Sequence, residues 1–387
     1  MKLYAFGYDP SSPTAPDASP TCILGATSIK ILWSSWCDAV IASASAGTSA
    51  WAVEYRGGAL TAAQAIHVSS AAEIKEFVCQ EGVGVEFFGS LMHEGVRGYV
   101  TPTSITLFSS DVEIEAGEEA IRSYTLPEDC GIASIRVDGR GGCLVSQGSG
   151  AGVVYLDTIV SFREYLSKSC TSTSVEGLAL FQPEEWCTNA TTTTALDAKG
   201  QVYTATRDPR YPNCLGRAYT NNTTLEPVEY LSETRIGKVA SGGYMTAAVS
   251  TDGELFLWGQ ANPGDEKMVS VLGEKGASGT SATTISADEE QDEMVKCLNV
   301  VVAGQEACVY DVAVGHGHVL VAAQVQKDGC VTARAVLGAG CNDRGQLGLP
   351  TSKPFVKEFE AIPAFTDLRI ERLVAAGWST LVVTSEE

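Results

Sequence analysis

The sequence predicts an all-β propeller, and three observations carry that expectation. One well-formed hairpin recurs along the chain in degraded copies. Glycine is abundant and spread evenly, with 39 in 387 residues against a usual share of roughly 7%. No internal apolar run approaches the ~18 residues that a membrane span needs.

The best-preserved hairpin lies in Lys238–Gly259, with strands expected at Met245–Ser250 and Glu254–Trp258 and Thr251-Asp252-Gly253 as the turn. Asp-Gly supplies the positive φ of a tight hairpin, because glycine has no Cβ to clash there. A lone hairpin is not stable in water, so the copies matter. Val312–Ala322 aligns with Val239 onward, Gly315 standing where Gly242 stands. Asn189–Tyr203 matches the second half, with Leu196 and Gly200 at the places of Val249 and Gly253. Ile31–Ile41 fits the first half with serines for glycines, and Val374–Val383 is a copy one residue shorter. Phe87–Phe108 and Ile132–Leu156 are weaker candidates, and on them rests the choice between six and seven blades. The total is about seven copies at irregular spacings of ~40–75 residues, a period expected of propellers.

Between the copies, Leu3–Gly7 reads as a strand ending in glycine, and residues 10–20 as a Pro/Ser loop. A second strand of the first copy covers Ala50–Tyr55, and Ala71–Cys79 reads as one or two helical turns in a connector. Asp111–Asp129 reads as an acidic loop. Gly148–Gly152 is G-x-G-x-G, but no P-loop lysine follows and Val153–Leu156 continues as a strand, so it reads as a turn. Residues 260–296 interrupt the copy after Trp258-Gly259. Low apolar content and the run Asp288–Glu293 mark this stretch as a mobile acidic insertion within a single domain spanning 1–387.

A hydrophobic fraction of 44% excludes global disorder. Twelve cysteines form no C-x-x-C pair and only four histidines exist, which argues against structural zinc and for buried thiols in a reducing compartment. The first seven residues are too short for a secretory h-region, so the expected address is the cytoplasm, with the nucleus as a second compartment. The net charge of −21, with 26 basic residues and no basic block, argues against direct nucleic-acid binding. It suits basic protein partners instead.

Val239-Ala-Ser-Gly-Gly through Trp258-Gly259, with Gly338 through Asn342-Asp-Arg-Gly-Gln-Leu-Gly348, resembles the regulator of chromosome condensation repeat family. The family repeat runs Val-x-x-Gly-x-x-His-x-x-Ala-Leu, then Gly-x-Val-Tyr-x-Trp-Gly-x-Asn-x-x-Gly-Gln-Leu-Gly. The resemblance implies a seven-bladed β-propeller of four-stranded blades. The chain ends on a first-half copy and begins with a second-half strand, so pairing the two completes a blade and closes the ring without exposed edges. Departures from the family pattern are many. The repeat histidine stands only at His318, with Met245, Thr192 and Cys37 at matching places, and Gly7-Tyr-Asp-Pro replaces the Gly-x-Asn run.

His318 holds a repeat position that reads as structural, and His316 has no Cys or carboxylate at ligand spacing. No Gly-x-Ser-x-Gly elbow or calcium loop is present, so no catalytic residue, cofactor or metal is expected. Exposed aromatics are the better candidates. Trp36, Tyr244 and Trp378 fall in the glycine-rich turn before an inner strand, where large aromatics make interface anchors. Arg207, Arg210 and Tyr211, with Arg217 beyond, form a basic-aromatic cluster in an acidic chain. The expectation is therefore a non-catalytic scaffold, acting as a monomer or as a heterodimer with its partner. The nearest analogue in the family is the small cytoplasmic member that partners the CSL-type zinc protein of diphthamide synthesis and Elongator-dependent tRNA modification. The alternatives are a guanine-nucleotide exchange factor for a small GTPase and a chromatin adaptor that recruits a histone-modifying enzyme.

Overall fold

Seven antiparallel sheets follow one another along the chain and define a seven-bladed β-propeller. The computed structural model describes residues 1–9, 19–47, 50–79, 84–92, 94–127, 131–147, 152–168, 176–179, 181–264, 267–273, 282–287 and 294–385. Blades 1 to 3 form one compact unit and blades 4 to 7 another.

In the first unit, blade 1 has three strands, Ser28–Ser34, Asp38–Ala44 and Trp51–Gly57. Blade 2 has four, from Glu86–Ser90 to Ile121–Thr125, and blade 3 four, from Ile132–Val137 to Glu176–Ala179. Both weak sequence copies are thus blades, which fixes the number at seven. Among the described residues four helices decorate this unit: α1 Ala62–Ser70, α2 Ala72–Val78, α3 Asp111–Glu115 and α4 Ile159–Ser167. Only α2 was expected. Thr61 caps α1 and exchanges hydrogen bonds with Gln64, a capping box that marks the helix start in sequence. The stretch expected as an acidic loop contains α3 and the strand Ile121–Thr125; Glu113 accepts from the Ser110 amide at 2.7 Å and starts the helix. Val40, Val68, Ile74, Phe87, Tyr99 and Phe108 join blades 1 and 2 in one core, and Phe88, Leu107, Val145 and Phe162 join blades 2 and 3 in another.

In the second unit, blade 4 runs from Glu185–Thr188 to the two-residue strand Glu226–Pro227, and blade 6 from Cys308–Val314 to Phe355–Ala361. Blade 5 carries the hairpin Met245–Ser250 and Leu255–Gly259 and extends to six strands. Its extra pairing comes from Thr284–Ala287 against Val295–Val302. Within 260–296, Val269, Val271 and Ile285 are buried in the core shared by blades 5 and 6, while Asp288–Glu293 lies outside the described residues. Blade 7 joins Arg369–Ala376 and Ser379–Ser385 to Lys2–Gly7 and Thr21–Gly25. Leu3 pairs with Val383 and Phe6 with Thr380, which is the expected closure by the two ends of the chain.

A row of alternating charge crosses the innermost strands of blades 4 to 7. Glu185, Lys238, Asp311 and Arg372 share one register, four residues before the residue that opens the hairpin turn (Asn189, Gly242, Gly315 and Ala376). Glu185 accepts the Val239 amide of the next blade at 3.1 Å. Lys238 pairs with Asp311, and Asp311 accepts the Leu373 amide at 2.6 Å. Glu185, Lys238 and Asp311 thereby each bond the following blade. Burial, with Arg372 adding repulsion, depresses the Lys238 ammonium, and Glu185 opposes that shift.

Removing one partner of a buried pair leaves an uncompensated charge, which costs about 3–5 kcal/mol. Lys238→Met should therefore lower the urea-unfolding free energy by about that amount, and Lys238→Met with Asp311→Leu should recover most of it. A loss under about 1 kcal/mol, as at an exposed pair, would contradict the assigned role.

Candidate functional site

The turn between the first two strands has the same length in blades 5, 6 and 7, with its positive φ on Gly243, Gly317 and Gly377. It reads Gly242-Gly243-Tyr244, Gly315-His316-Gly317 and Ala376-Gly377-Trp378. Two kinds of close approach demand its glycines. A Cβ on Gly242 would lie 2.2 Å from the Val314 carbonyl of the next blade. Gly259, at φ +94°, lies against the Tyr244 carbonyl, where a Cβ would come within 2.2 Å. Gly7 repeats the second device against the Trp378 carbonyl. Backbone bonds link the turns of neighbouring blades: the Ala190 amide donates to the Gly243 carbonyl at 2.9 Å, and the His316 amide to the Gly377 carbonyl at 2.8 Å.

The side chains of these turns meet in an aromatic row. Tyr211 packs edge-on against Tyr244 at 5.1 Å between ring centroids, Tyr244 lies 6.3 Å from His316, and His316 lies 6.2 Å from Trp378. Tyr8 meets Trp378 at 6.1 Å. Arg210 covers Tyr211 at 5.6 Å and Arg344 covers Trp378 at 5.8 Å, so guanidinium groups lie on two of the five rings. All five rings are half-buried, leaving part of each accessible. Asp208 grips Arg210 through two oxygens, at 2.7 and 2.5 Å, and raises its already high pKa.

The Asn-x-x-Gly-Gln-Leu-Gly element is structural. The Asn342 carboxamide accepts the Leu347 amide at 3.1 Å and donates to the Lys353 carbonyl at 3.3 Å. Gln346 accepts the Arg344 amide at 2.9 Å, holding the loop that carries Arg344. Beneath the row, His318 is wholly buried, with Nε2 3.2 Å from the Thr380 hydroxyl, which donates to the Gln346 carbonyl at 2.8 Å. His318 is thus a core residue, whereas His316 belongs to the row, its pKa lowered by burial against the opposing pull of Asp343.

Of the expected contact residues, Tyr244, Trp378, Arg210 and Tyr211 come together. Arg207 lies half-buried just past the strand Val202–Thr206. Arg217 turns inward, paired with Glu226 at 2.8 Å and donating to the Thr204 carbonyl at 2.9 Å. Trp36 sits half-buried in the first turn of blade 1, in the other compact unit, its amide donating to the Leu91 carbonyl at 3.2 Å. Tyr8, His316 and Arg344 were missed. Tyr8 was the most accessible of these, because Gly7 aligns with Gly259 and so places the next residue beside the turn.

Among the described residues, no three His, Cys, Asp or Glu side chains are grouped to hold a metal ion, and no helix is long and apolar enough to cross a membrane. A cavity of about 460 Å³ beside blades 4 and 5 is lined by Arg217, Glu226, Tyr230 and Met294, and its one cation is already paired with Glu226.

What this geometry defines is a seven-bladed β-propeller with an aromatic row contributed by blades 4 to 7. No family model matches the chain, and no curated protein is detectably similar to it. Solved structures do match. Prp20p from Saccharomyces cerevisiae, described with its binding properties to Gsp1p and histones, aligns at TM-score 0.57 and 12% identity over 100% of this chain and 92% of its own. The same yeast RCC1 bound to Kap60 aligns at TM-score 0.58 and 11% identity, covering 100% and 89%. Human WBSCR16 aligns at TM-score 0.44 and 14% identity, covering 100% and 99%. At these identities the likeness is one of fold.

Burial pushes the His318 imidazole from 6.5 down to about 4, against the opposing pull of the His316 backbone. The unfolded chain then takes up this proton first as pH falls. Stability from this group is complete above about pH 6.5 and declines between there and about pH 4, by about 3 kcal/mol. Urea unfolding at pH 7 and pH 4.5 should show a larger acid loss for the natural chain than for His318→Asn. Equal losses would mean that the ring titrates normally.

Proposed function

We propose that this chain is a non-catalytic scaffold, a divergent member of the regulator of chromosome condensation repeat family that binds another protein through the turns of blades 4 to 7. The observation that carries the reading is the row Tyr211–Tyr244–His316–Trp378–Tyr8, five half-buried rings contributed by four successive blades. Tyrosine and tryptophan anchors supply large contact area at low entropic cost, and they dominate interface energetics. The partner inferred from the family resemblance is a small CSL-type zinc protein acting in diphthamide synthesis and tRNA wobble-uridine modification. Its address would then be cytoplasmic.

A second reading, a guanine-nucleotide exchange factor, draws on Prp20p and its binding to Gsp1p. A chromatin adaptor draws on the same protein and histones. The charge of −21 suits contact with basic proteins and opposes contact with the DNA backbone.

Affinity purification with mass spectrometry, run with the natural chain and with Tyr244→Ala/Trp378→Ala, separates these readings. The expected result is recovery of the zinc protein by the natural chain and at least tenfold less by the variant, since losing two aromatic anchors costs about 2 kcal/mol or more each. The variant's thermal midpoint should stay within a few degrees. Recovery of histones or a demethylase would favour the adaptor, and undiminished recovery by the variant would remove the aromatic row from the interface. For the exchange reading, labelled-nucleotide release from a panel of small GTPases should be unaccelerated; faster release from any one would replace the scaffold reading.

A further inference from the structure

Blade 4 ends on a two-residue outer strand, Glu226–Pro227, which pairs only with Tyr203 and Thr204. So short a strand leaves space beside blade 5, and the cavity of about 460 Å³ lies there. Its lining comes from three stretches, within 216–220, 226–230 and 294–295. All three are anchored on the blade 5 strand Leu255–Gly259. The buried Trp258 indole donates to the Cys214 carbonyl at 3.2 Å, and a Cβ on Gly216 would come within 3.0 Å of that ring. Val295 is the ladder partner of Trp258. Tyr230 packs edge-on against Phe256 at 6.3 Å between ring centroids. The cavity is therefore built into the packed fold and is present before any ligand arrives.

The charge of the lining selects the ligand. Arg217 pairs with Glu226 at 2.8 Å, and its guanidinium also donates to the Ala218 carbonyl at 3.0 Å and the Thr204 carbonyl at 2.9 Å. Glu226 further accepts from the Thr220 hydroxyl at 2.6 Å and the Asn222 carboxamide at 3.0 Å. These two charges cancel and are held in place. Glu229 differs: it lines the cavity, is exposed, and its carboxylate makes no hydrogen bond or ion pair with the described residues. One negative charge is thus left unbalanced. The lining is otherwise largely apolar, with Pro227, Tyr230, Val295 and Met294, the last 47% exposed. An anion would meet Glu229 with no free cation to offset it. A cation on an apolar stem fits, because its methylenes cover hydrocarbon while the head stays at the carboxylate. The Tyr230 ring attracts a cation as well.

We propose that this cavity receives a lysine or arginine side chain from a basic segment of a partner protein. The stem lies against Met294, Val295 and Pro227, and the cationic head meets Glu229. The site uses no ring of the aromatic row and stands independently of the function proposed for that row.

The test uses the full chain at physiological salt, where attraction between distant exposed charges is largely screened. The probe is a short fluorescent peptide of alternating lysine and glycine. Its control is the same peptide with every lysine acetylated, which keeps the stem and removes the charge. Anisotropy titration should show the lysine peptide binding at least about tenfold more tightly than the acetylated one. Glu229→Gln and Met294→Ser should each weaken binding at least about threefold. Asp328→Asn removes the same charge from the hairpin turn of blade 6, where φ is +52° and asparagine is tolerated, and should change nothing. Tyr244→Ala/Trp378→Ala should bind the peptide as the natural chain does. Circular dichroism melting of the Glu229 and Met294 variants should match the natural chain, because both side chains are exposed. The proposal is overturned if the natural chain does not bind the lysine peptide or binds the acetylated one as tightly. It is overturned equally if Glu229→Gln or Met294→Ser loses nothing, if Asp328→Asn loses as much as Glu229→Gln, or if the aromatic variant abolishes binding.

Discussion

The Lys238–Asp311 pair, with Glu185 and Arg372 on either side, is the contact that orders blades 4 to 7. Blades of a propeller otherwise meet through apolar side chains, which attract without fixing a register. A charge at one fixed strand position corrects this, because each carboxylate accepts an amide of the following blade and so sets how far the two sheets slide. Alternating sign matters as well, because like charges at neighbouring positions of the row would repel. The unit of blades 1 to 3 uses related parts. Asp38 accepts the Val96 amide at 3.0 Å, and Glu86 pairs with Arg136. Asp38 carries no cation and is held by the Trp33 and Ser35 side chains as well, and burial raises its pKa.

With register fixed, the turns above the charged row fall into line. Gly242 lets neighbouring turns approach, Gly315 leaves room for the His318 ring, and Gly7 and Gly259 let their third strands end beneath the turn carbonyl. The side chain at the turn has then little choice of direction and meets its neighbour around the row. The aromatic surface is thus a by-product of packing rules that concern the backbone, and only the ring identities are free to vary.

The fold was legible in the sequence because turn glycines and strand-ending Trp258-Gly259 or Phe6-Gly7 are local requirements that survive divergence. The helices were less so. Thr61-x-x-Gln64 and Ser110-x-x-Glu113 are readable start signals, but acidic composition around Asp111 masked the second. The candidate site was legible in part. Tyr244 and Trp378 announce themselves by their place in the turn, whereas Arg344 reaches Trp378 from a different loop, and no spacing in the chain reports that contact. Arg217 misled for the opposite reason: its partner, Glu226, lies on the next strand and draws it inward.

Closure of blade 7 joins Lys2–Gly7 to Ser379–Ser385, so one sheet is made from residues at the two extremes of the described chain. That sets an order of events during synthesis. Blades 1 to 6 are each built from contiguous sequence and are free to form as they emerge, but Lys2–Gly7 can pair early only with Thr21–Gly25, and its other edge waits for Ser379–Ser385. For most of translation the nascent propeller therefore carries a strand with one open edge, the kind of edge that recruits other chains. Contacts of such long sequence separation form slowly. The late joining of Leu3 to Val383 is the step at which an incomplete molecule stops being an aggregation hazard and becomes a closed one.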